Sequence, residues 1–121
     1  MKVLAENLNL KTVYADYQNC QVQATQYAAG GLAIQLFAED GERILTASVF
    51  IEGKTEKILP YQFYSKDWSE NEGVVEWLKK AEIVTGTGRY VKTGFCEAEL
   101  LELSPKYRKI IDTAMAQGEN G

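Results

Sequence analysis

Alternation of apolar and polar residues is the clearest pattern in the first half of this chain. It begins in residues 20–27, where every second side chain is small or apolar, and it recurs in residues 32–39 and 43–52. A period of two is typical of β-strands with one buried face. Gly30-Gly31 and Asp40-Gly41 separate the three segments. Because such short connections cannot cross over a sheet, the pattern predicts an antiparallel meander.

The second half changes to helical spacing. Val74, Trp77, Leu78 and Ala81 recur at intervals of three and four, and Gly86 is the expected stop of this helix. Another apolar stripe follows Pro105, a residue that favours the first position of a helix. The stripe predicts a C-terminal helix and consists of Tyr107, Ile110, Ile111, Ala114 and Met115.

These elements predict an α+β fold. We expect an antiparallel sheet of four or five strands, including short strands at 61–64 and 97–103, with one packed helix and an additional C-terminal helix. We predict a single domain over residues 1–121, with the sheet-plus-helix core at 19–103, the C-terminal helix at 104–117 and a frayed tail at 118–121. The predicted core residues are Ile34, Leu36, Leu45, Val49, Trp77 and Leu78.

Composition limits the catalytic mechanisms and the ligands that the chain can have. The 121 residues include no histidine, which excludes Ser-His-Asp and Cys-His mechanisms. The two cysteines, Cys20 and Cys96, lie far apart, and this is neither a zinc spacing nor a secreted disulfide framework. With 17 acidic and 13 basic residues the net charge is −4, so we expect no direct nucleic-acid binding. We predict no catalytic residue, no metal ligand and no cofactor.

The chain carries no pattern that predicts membrane insertion or secretion. No apolar run approaches the roughly 20 residues that a spanning helix needs. The first residues lack the apolar core of a signal peptide. We therefore expect a cytoplasmic protein.

The glycine-rich stretch at 85–96 is the main candidate for ligand binding. Its glycine N–H groups, threonine hydroxyls and cations are the groups that bind anions, and they predict a nucleotide-like ligand. The candidate residues are Thr85, Thr87, Gly88, Arg89 and Lys92. The alternative is a helix stop followed by a turn, which we favour, because phosphate-binding glycines normally precede a helix.

The nearby thiol and carboxylates have simpler interpretations. Cys96 alternates with Ala98 and Leu100, which predicts a buried apolar role rather than a nucleophile. Glu97, Glu99 and the other acids of the last strand are the solvated residues of an edge strand, which deter aggregation.

Aromatic residues are the candidates for partner binding, because Tyr, Phe and Trp are enriched at interfaces. Tyr27, Phe37 and Phe50 lie on the predicted outer face of the sheet, and others follow a few residues later. The C-terminal helix covers them in one interpretation, and in the other they bind a host protein or form a homodimer. The candidate residues are Tyr27, Phe37, Phe50, Tyr61, Phe63, Tyr64 and Trp68.

Two blocks resemble the four-three-one-three domain-of-unknown-function family of small plasmid, integrative-element and phage proteins. One block runs from Tyr27-Ala28-Ala29-Gly30-Gly31 to the turn at Asp40. The other runs from Trp77-Leu78 through the glycine-threonine-arginine stretch to Gly94-Phe95-Cys96. Together they span residues 20–103. The resemblance implies the fold and a mobile-element setting in a bacterial host, but no reaction.

The expected function is therefore stoichiometric binding rather than catalysis. We predict a phage or mobile-element accessory protein that binds a host protein and inhibits a bacterial defence system of the CRISPR or restriction type. The alternative is a small-ligand binder that sequesters a nucleotide-like molecule near Arg89 and Lys92.

Overall fold

The computed structural model describes residues 2–116, with side chains to residue 113. It confirms the α+β class, with antiparallel strands and two helices. The predicted tail at 118–121 lies outside the described residues. The elements are β1 (Lys2–Lys11), β2 (Asp16–Gln26), β3 (Leu32–Phe37), β4 (Arg43–Thr46), β5 (Gln62–Tyr64), α1 (Val74–Lys80), β6 (Val84–Thr93), β7 (Cys96–Leu103) and α2 (Pro105–Ala116).

The strands form two sheets, whereas the sequence predicted one sheet of four or five strands. One sheet has the order β1-β2-β3-β4 and the other the order β5-β7-β6. An isolated bridge between Ser48 and Ser65 joins them just beyond the ends of β4 and β5. The Val49 N–H donates to the Tyr64 carbonyl at 2.9 Å, and the Lys66 N–H donates to the Ala47 carbonyl at 2.8 Å. Within residues 2–116 the seven strands thus follow one another in a single hydrogen-bonded series.

Strand β1 was not predicted, because its pairing with β2 is irregular. The register between the two strands shifts three times. Asn7 and Asn19 take left-handed conformations, with φ of 56° and 57°. Asparagine tolerates this conformation better than most residues, and bulges of this kind break the two-residue period. The sheet therefore begins well before the predicted boundary at residue 19.

The alternating aliphatic residues of β2, β3 and β4 that the pattern assigns to the core face, such as Val22, Ile34 and Leu45, are buried. Four of the predicted core residues are buried: Ile34, Leu36, Leu45 and Leu78. Val49 and Trp77 are half-buried and pack against the margin of the core. The Trp77 indole N–H donates to the Asn9 carbonyl at 2.9 Å, which fixes α1 against β1.

Helix α1 is short, and its N-terminus is capped by a residue that lies several positions earlier in the sequence. Its first N–H groups, at Gly73 and Val75, donate to Oδ1 of Asp67 at 3.0 and 3.1 Å. The helix ends at Lys80 with Ala81 as its C-cap, and Glu82 follows with a φ of 60°. The expected stop at Gly86 was wrong, since that residue lies inside β6.

Helix α2 packs on the core face of the protein. Tyr107 and Ile111 are buried with the residues of β1 and β7. The helix therefore does not cover the outer face that carries Tyr27, Phe37 and Phe50, as one interpretation of the sequence required. Within residues 2–116, neither helix combines the length and the apolarity that a membrane crossing requires.

Candidate protein-interaction edge

The glycine-rich stretch is a β-strand, not a turn after a helix. Residues 84–93 form β6, which pairs antiparallel with β7. Thr93 pairs with Cys96, so only Gly94 and Phe95 connect the two strands. Gly94 has a φ of 62° and Phe95 does not have a positive φ. A single positive φ at the first central residue is the pattern of a type II′ hairpin turn, which favours glycine there.

A bulge explains the other special residues of this strand. Gly86 pairs with Leu101 and Tyr90 with Glu99, so residues 87–89 lie opposite Leu100 alone. The Thr87 hydroxyl donates to the Leu100 carbonyl at 2.7 Å and accepts from the Arg89 N–H at 3.2 Å. Gly88 has a φ of 77° inside the bulge. The glycine and the threonine thus have structural roles in β6.

The predicted ligand-binding residues consequently lie along an extended strand. Thr85, Gly88, Arg89 and Lys92 are exposed, and Thr87 is half-buried with its hydroxyl engaged. An extended strand spaces its residues over its length, so these groups do not converge as an anion cradle does. The largest of the four surface clefts described, of about 560 Å³, lies elsewhere and is lined by residues 16–18 and 38–40.

The outer side of β6 is open. Among residues 2–116, no strand lies beyond β6 in the order β5-β7-β6. The Ser65 N–H donates to the Glu99 carbonyl at 2.9 Å, so the backbone of Glu99 is directed towards β5. In an antiparallel pair the residue opposite, Tyr90, must then direct its own N–H and C=O away from β7. The alternation of the ladder gives Lys92 the same orientation. We call the open side of residues 89–93 the β6 edge.

Aromatic and cationic side chains surround the β6 edge. Tyr90 is 57% exposed, and Phe95 at the hairpin tip is fully exposed. Arg89 and Lys92 are exposed too, and within the described residues neither of them forms an ion pair. A strand with one open edge and exposed aromatic residues beside it is the kind of surface that recruits another protein chain.

No protein-family model, curated protein or solved structure matches the chain.

The predicted partner-binding aromatics do not form one exposed patch. Phe63 and Tyr64 are core residues, with 0% and 5% exposure, because β5 lies in the interior and pairs with β7. Both are therefore excluded from the surface on which the prediction placed them. The remaining five are half-buried: Tyr27, Phe37, Phe50, Tyr61 and Trp68.

Most of these half-buried rings are engaged within the protein. Tyr27 and Phe50 pack edge to face, with their centroids 5.2 Å apart, and the Tyr27 hydroxyl lies 2.9 Å from Oγ of Ser48. The Arg108 guanidinium lies over the Tyr61 ring, 4.4 Å from its centroid. Sequence reasoning missed the exposed aromatics, which are Tyr90 and Phe95 beside the β6 edge and Tyr14 and Tyr17 near the start of β2. A two-residue connection before the alternating segment at 96–103 was the signal that could have revealed the hairpin.

The acidic residues of β7 were assigned to an edge strand, which the structure corrects. Strand β7 is central in its sheet, and two of its three carboxylates have specific partners, whereas Glu97 is exposed as expected. Glu99 pairs with Lys79 at 2.9 Å and Glu102 with Arg108 at 2.8 Å. Glu102 also accepts a hydrogen bond from Gln62 at 2.8 Å. These ion pairs join the helices to the second sheet.

The thiols have separate environments. Cys20 is fully buried in the core, and this burial raises the pKa of its thiol. Cys96 is half-buried beside the hairpin turn. Within residues 2–116, no group of three or more Cys, Asp and Glu side chains is arranged to hold a metal ion.

Proposed function

We propose that this chain is a non-catalytic accessory protein of a phage or mobile element. It acts by stoichiometric binding to a host protein and inhibits a bacterial defence system of the anti-CRISPR or anti-restriction type. The mobile-element setting rests on the resemblance of residues 20–103 to the family described above. The cytoplasm of the bacterial host is the compartment that this role requires.

The observation that carries the binding role is the open β6 edge. Among residues 2–116 no strand pairs with the outward backbone groups of Tyr90 and Lys92, and Phe95 lies at the adjacent hairpin tip. Proteins commonly protect such edges, since an open strand recruits another chain. Aromatic side chains beside it supply the contact area that dominates binding energy in many interfaces. These features support a surface for protein binding.

The proposal is tested in bacteria that carry an active CRISPR or restriction system. Expression of the chain should restore plaque formation by a phage that the system otherwise blocks. With the purified defence complex, inhibition should be complete at about one chain per target, because a stoichiometric binder is consumed by its partner. Inhibition at far lower ratios would indicate catalysis, and failure against a broad panel of systems would overturn the anti-defence role.

The alternative is sequestration of a nucleotide-like molecule, for which the exposed cations Arg89 and Lys92 are the candidate contacts. A ligand that binds the folded chain raises its thermal stability by mass action. A thermal-shift screen with mono-, di- and cyclic nucleotides tests this function. A stabilisation that Arg89→Ala abolishes and Lys54→Ala preserves would support it over protein binding.

A further inference from the structure

We propose that the β6 edge binds an extended acidic segment of a partner protein, which adds to the second sheet as a further strand beside Tyr90 and Lys92. The inference rests on the proposed binding function for its biological role, but it makes a separate claim about which surface binds and what chemistry it recognises.

The backbone sets the position of the added strand. Tyr90 and Lys92 are two residues apart, which is the repeat of outward-facing groups along one side of a strand. The bulge at 87–89 ends this regular segment on one side, and the turn at Gly94 ends it on the other. The segment that binds is therefore short, with its hydrogen bonds centred on Val91, whose own backbone groups are directed to Ala98.

The charge of β6 selects an acidic occupant. The strand contains Arg89 and Lys92 and no acidic residue, although the whole chain has a net charge of −4. Glu97 and Glu99 lie opposite Lys92 and Tyr90 on β7, one strand further from the bound segment, and Glu99 is paired with Lys79. The Debye length at physiological salt is about 8 Å, so the bound segment, which lies next to β6, interacts more strongly with these two cations than with the carboxylates beyond them. Opposite charges on neighbouring strands stabilise the pairing and like charges oppose it.

The same charges disfavour a second copy as the occupant. Two β6 edges that pair antiparallel about Val91 would bring the lysines at position 92 into diagonal positions, at about 7–8 Å. The arginines of both copies would add to the same ribbon. A homodimer through this edge therefore concentrates positive charge without any acid from β6 to offset it.

The side chains specify the pattern of the partner segment. Tyr90 and Lys92 project to the same face, because residues two apart in a strand do so. A complementary strand places an apolar residue near Tyr90 and an acidic residue near Lys92, separated by one position. Phe95 extends the apolar contact at the tip of the hairpin.

A synthetic peptide of the expected chemistry tests the inference directly. The probe is a capped peptide of about eight residues, a length typical of strands, with threonine at every second position and valine and glutamate in turn at the positions between them. Two control peptides keep that length: one replaces alternate residues by proline and keeps the charge, and the other replaces glutamate by lysine. The acidic probe should bind the full chain at concentrations up to about 1 mM, as observed by NMR titration, and neither control peptide should bind.

Hydrogen exchange locates the binding. The amides of Tyr90 and Lys92 should exchange more slowly when the acidic peptide is bound. The amide of Val91 serves as the internal reference, since it already bonds to β7 and its exchange should change little. Equal binding of the proline peptide, protection at another strand, or no binding at about 1 mM would each overturn the inference. So would dimerisation with the same protected amides.

Variants separate the backbone contribution from the charge. Arg89→Ala and Lys92→Ala should each weaken peptide binding by about 1.5- to 5-fold, as expected for exposed ion pairs. Lys54→Ala, which removes an exposed lysine elsewhere, should have no effect. Lys92→Pro also removes the outward N–H while leaving the hairpin ladder intact, so it should bind about 2- to 10-fold more weakly than Lys92→Ala. Thermal unfolding checks that the variants are folded.

The two proposals fail in different ways. If Lys92→Pro loses peptide binding but inhibits the defence system as well as the unaltered chain does, the edge inference is wrong and the proposed function stands. If the chain binds the acidic peptide at the β6 edge but inhibits no defence system, the anti-defence function is wrong and the edge inference stands.

Discussion

The carboxylate of Glu99 occupies the space that a side chain at Gly86 would fill. A Cβ at residue 86 would meet Oε2 of Glu99 well inside contact distance and would lie 3.1 Å from Nζ of Lys79. These two charged groups form the ion pair that links α1 to β7. The φ of Gly86 is not positive, so the backbone conformation does not require glycine there. The ion pair that crosses over residue 86 is the reason that a larger residue does not fit.

This relationship predicts that Gly86→Ala has opposite effects on stability in the presence and in the absence of the Glu99 carboxylate. In the unaltered chain the substitution should lower the free energy of unfolding, because the Lys79–Glu99 pair must move. In a Glu99→Ala background it should raise stability by about 0.4–1 kcal/mol, since alanine restricts the unfolded chain more than glycine does. Urea unfolding of the four proteins measures the coupling, expected at about 0.5–3 kcal/mol. Equal effects in both backgrounds would contradict the steric explanation.

Sequence patterns predicted the first sheet better than the second. Strands β2, β3 and β4 keep one uniform apolar face, so their period survives in the sequence. Strand β6 has glycines at 86 and 88, residues that are depleted in strands, and its bulge interrupts the alternation. Gly88 has a positive φ, which the bulge requires.

The position of the candidate site was even less accessible to sequence reasoning. Whether a strand lies at an edge depends on long-range pairing, which short-range patterns do not encode. The acids of β7 suggested an edge, although Glu99 and Glu102 are compensated by cations on the two helices. Tyr90 and Phe95 can be recognised as surface aromatics only when β6 is known to be the outermost strand of its sheet.

Asp67 is expected to contribute to stability as the distant cap of α1. Asp67→Ala removes the acceptor of the Gly73 and Val75 N–H groups and should cost about 0.5–2 kcal/mol. Asp67→Asn keeps an oxygen at the same position and should lose less. Chemical denaturation of the two variants measures the difference. An alanine variant as stable as the unaltered chain would show that the cap contributes nothing.

Arg108 is expected to anchor α2 to the second sheet. Its guanidinium donates to Glu102 at 2.8 Å and to the Leu103 carbonyl at 2.7 Å, and it lies over the Tyr61 ring. Arg108→Ala should destabilise the fold by about 1–3 kcal/mol, as expected for hydrogen bonds that involve charged groups.

The matched control for Arg108 is its exposed neighbour. Lys109→Ala should change stability by less than about 0.5 kcal/mol. Arg108→Lys should fall between the two alanine variants, because lysine keeps the charge but cannot form the same planar set of contacts. If Arg108→Lys were as stable as the unaltered chain, charge alone would hold the helix.

Cys20 predicts a loss of stability at alkaline pH. Burial raises the pKa of its thiol above the ordinary value of 9.0 and outweighs the opposing hydrogen bond from the backbone of Leu10. The unfolded chain therefore releases this proton near pH 9.0, while the folded chain retains it until a higher pH. Its contribution to stability is complete below pH 9.0 and is lost as the pH rises towards the folded pKa, by at most about 1.4 kcal/mol per pH unit.

Urea unfolding at about pH 8 and about pH 10 measures this decline, which Cys20→Ala should reduce and Cys96→Ala should leave in place. The alanine at position 20 also removes core volume and lowers stability at both pH values, so the difference between the two pH values is the readout. A Cys20→Ala variant with the same alkaline decline as the unaltered chain would show that Cys20 does not cause it.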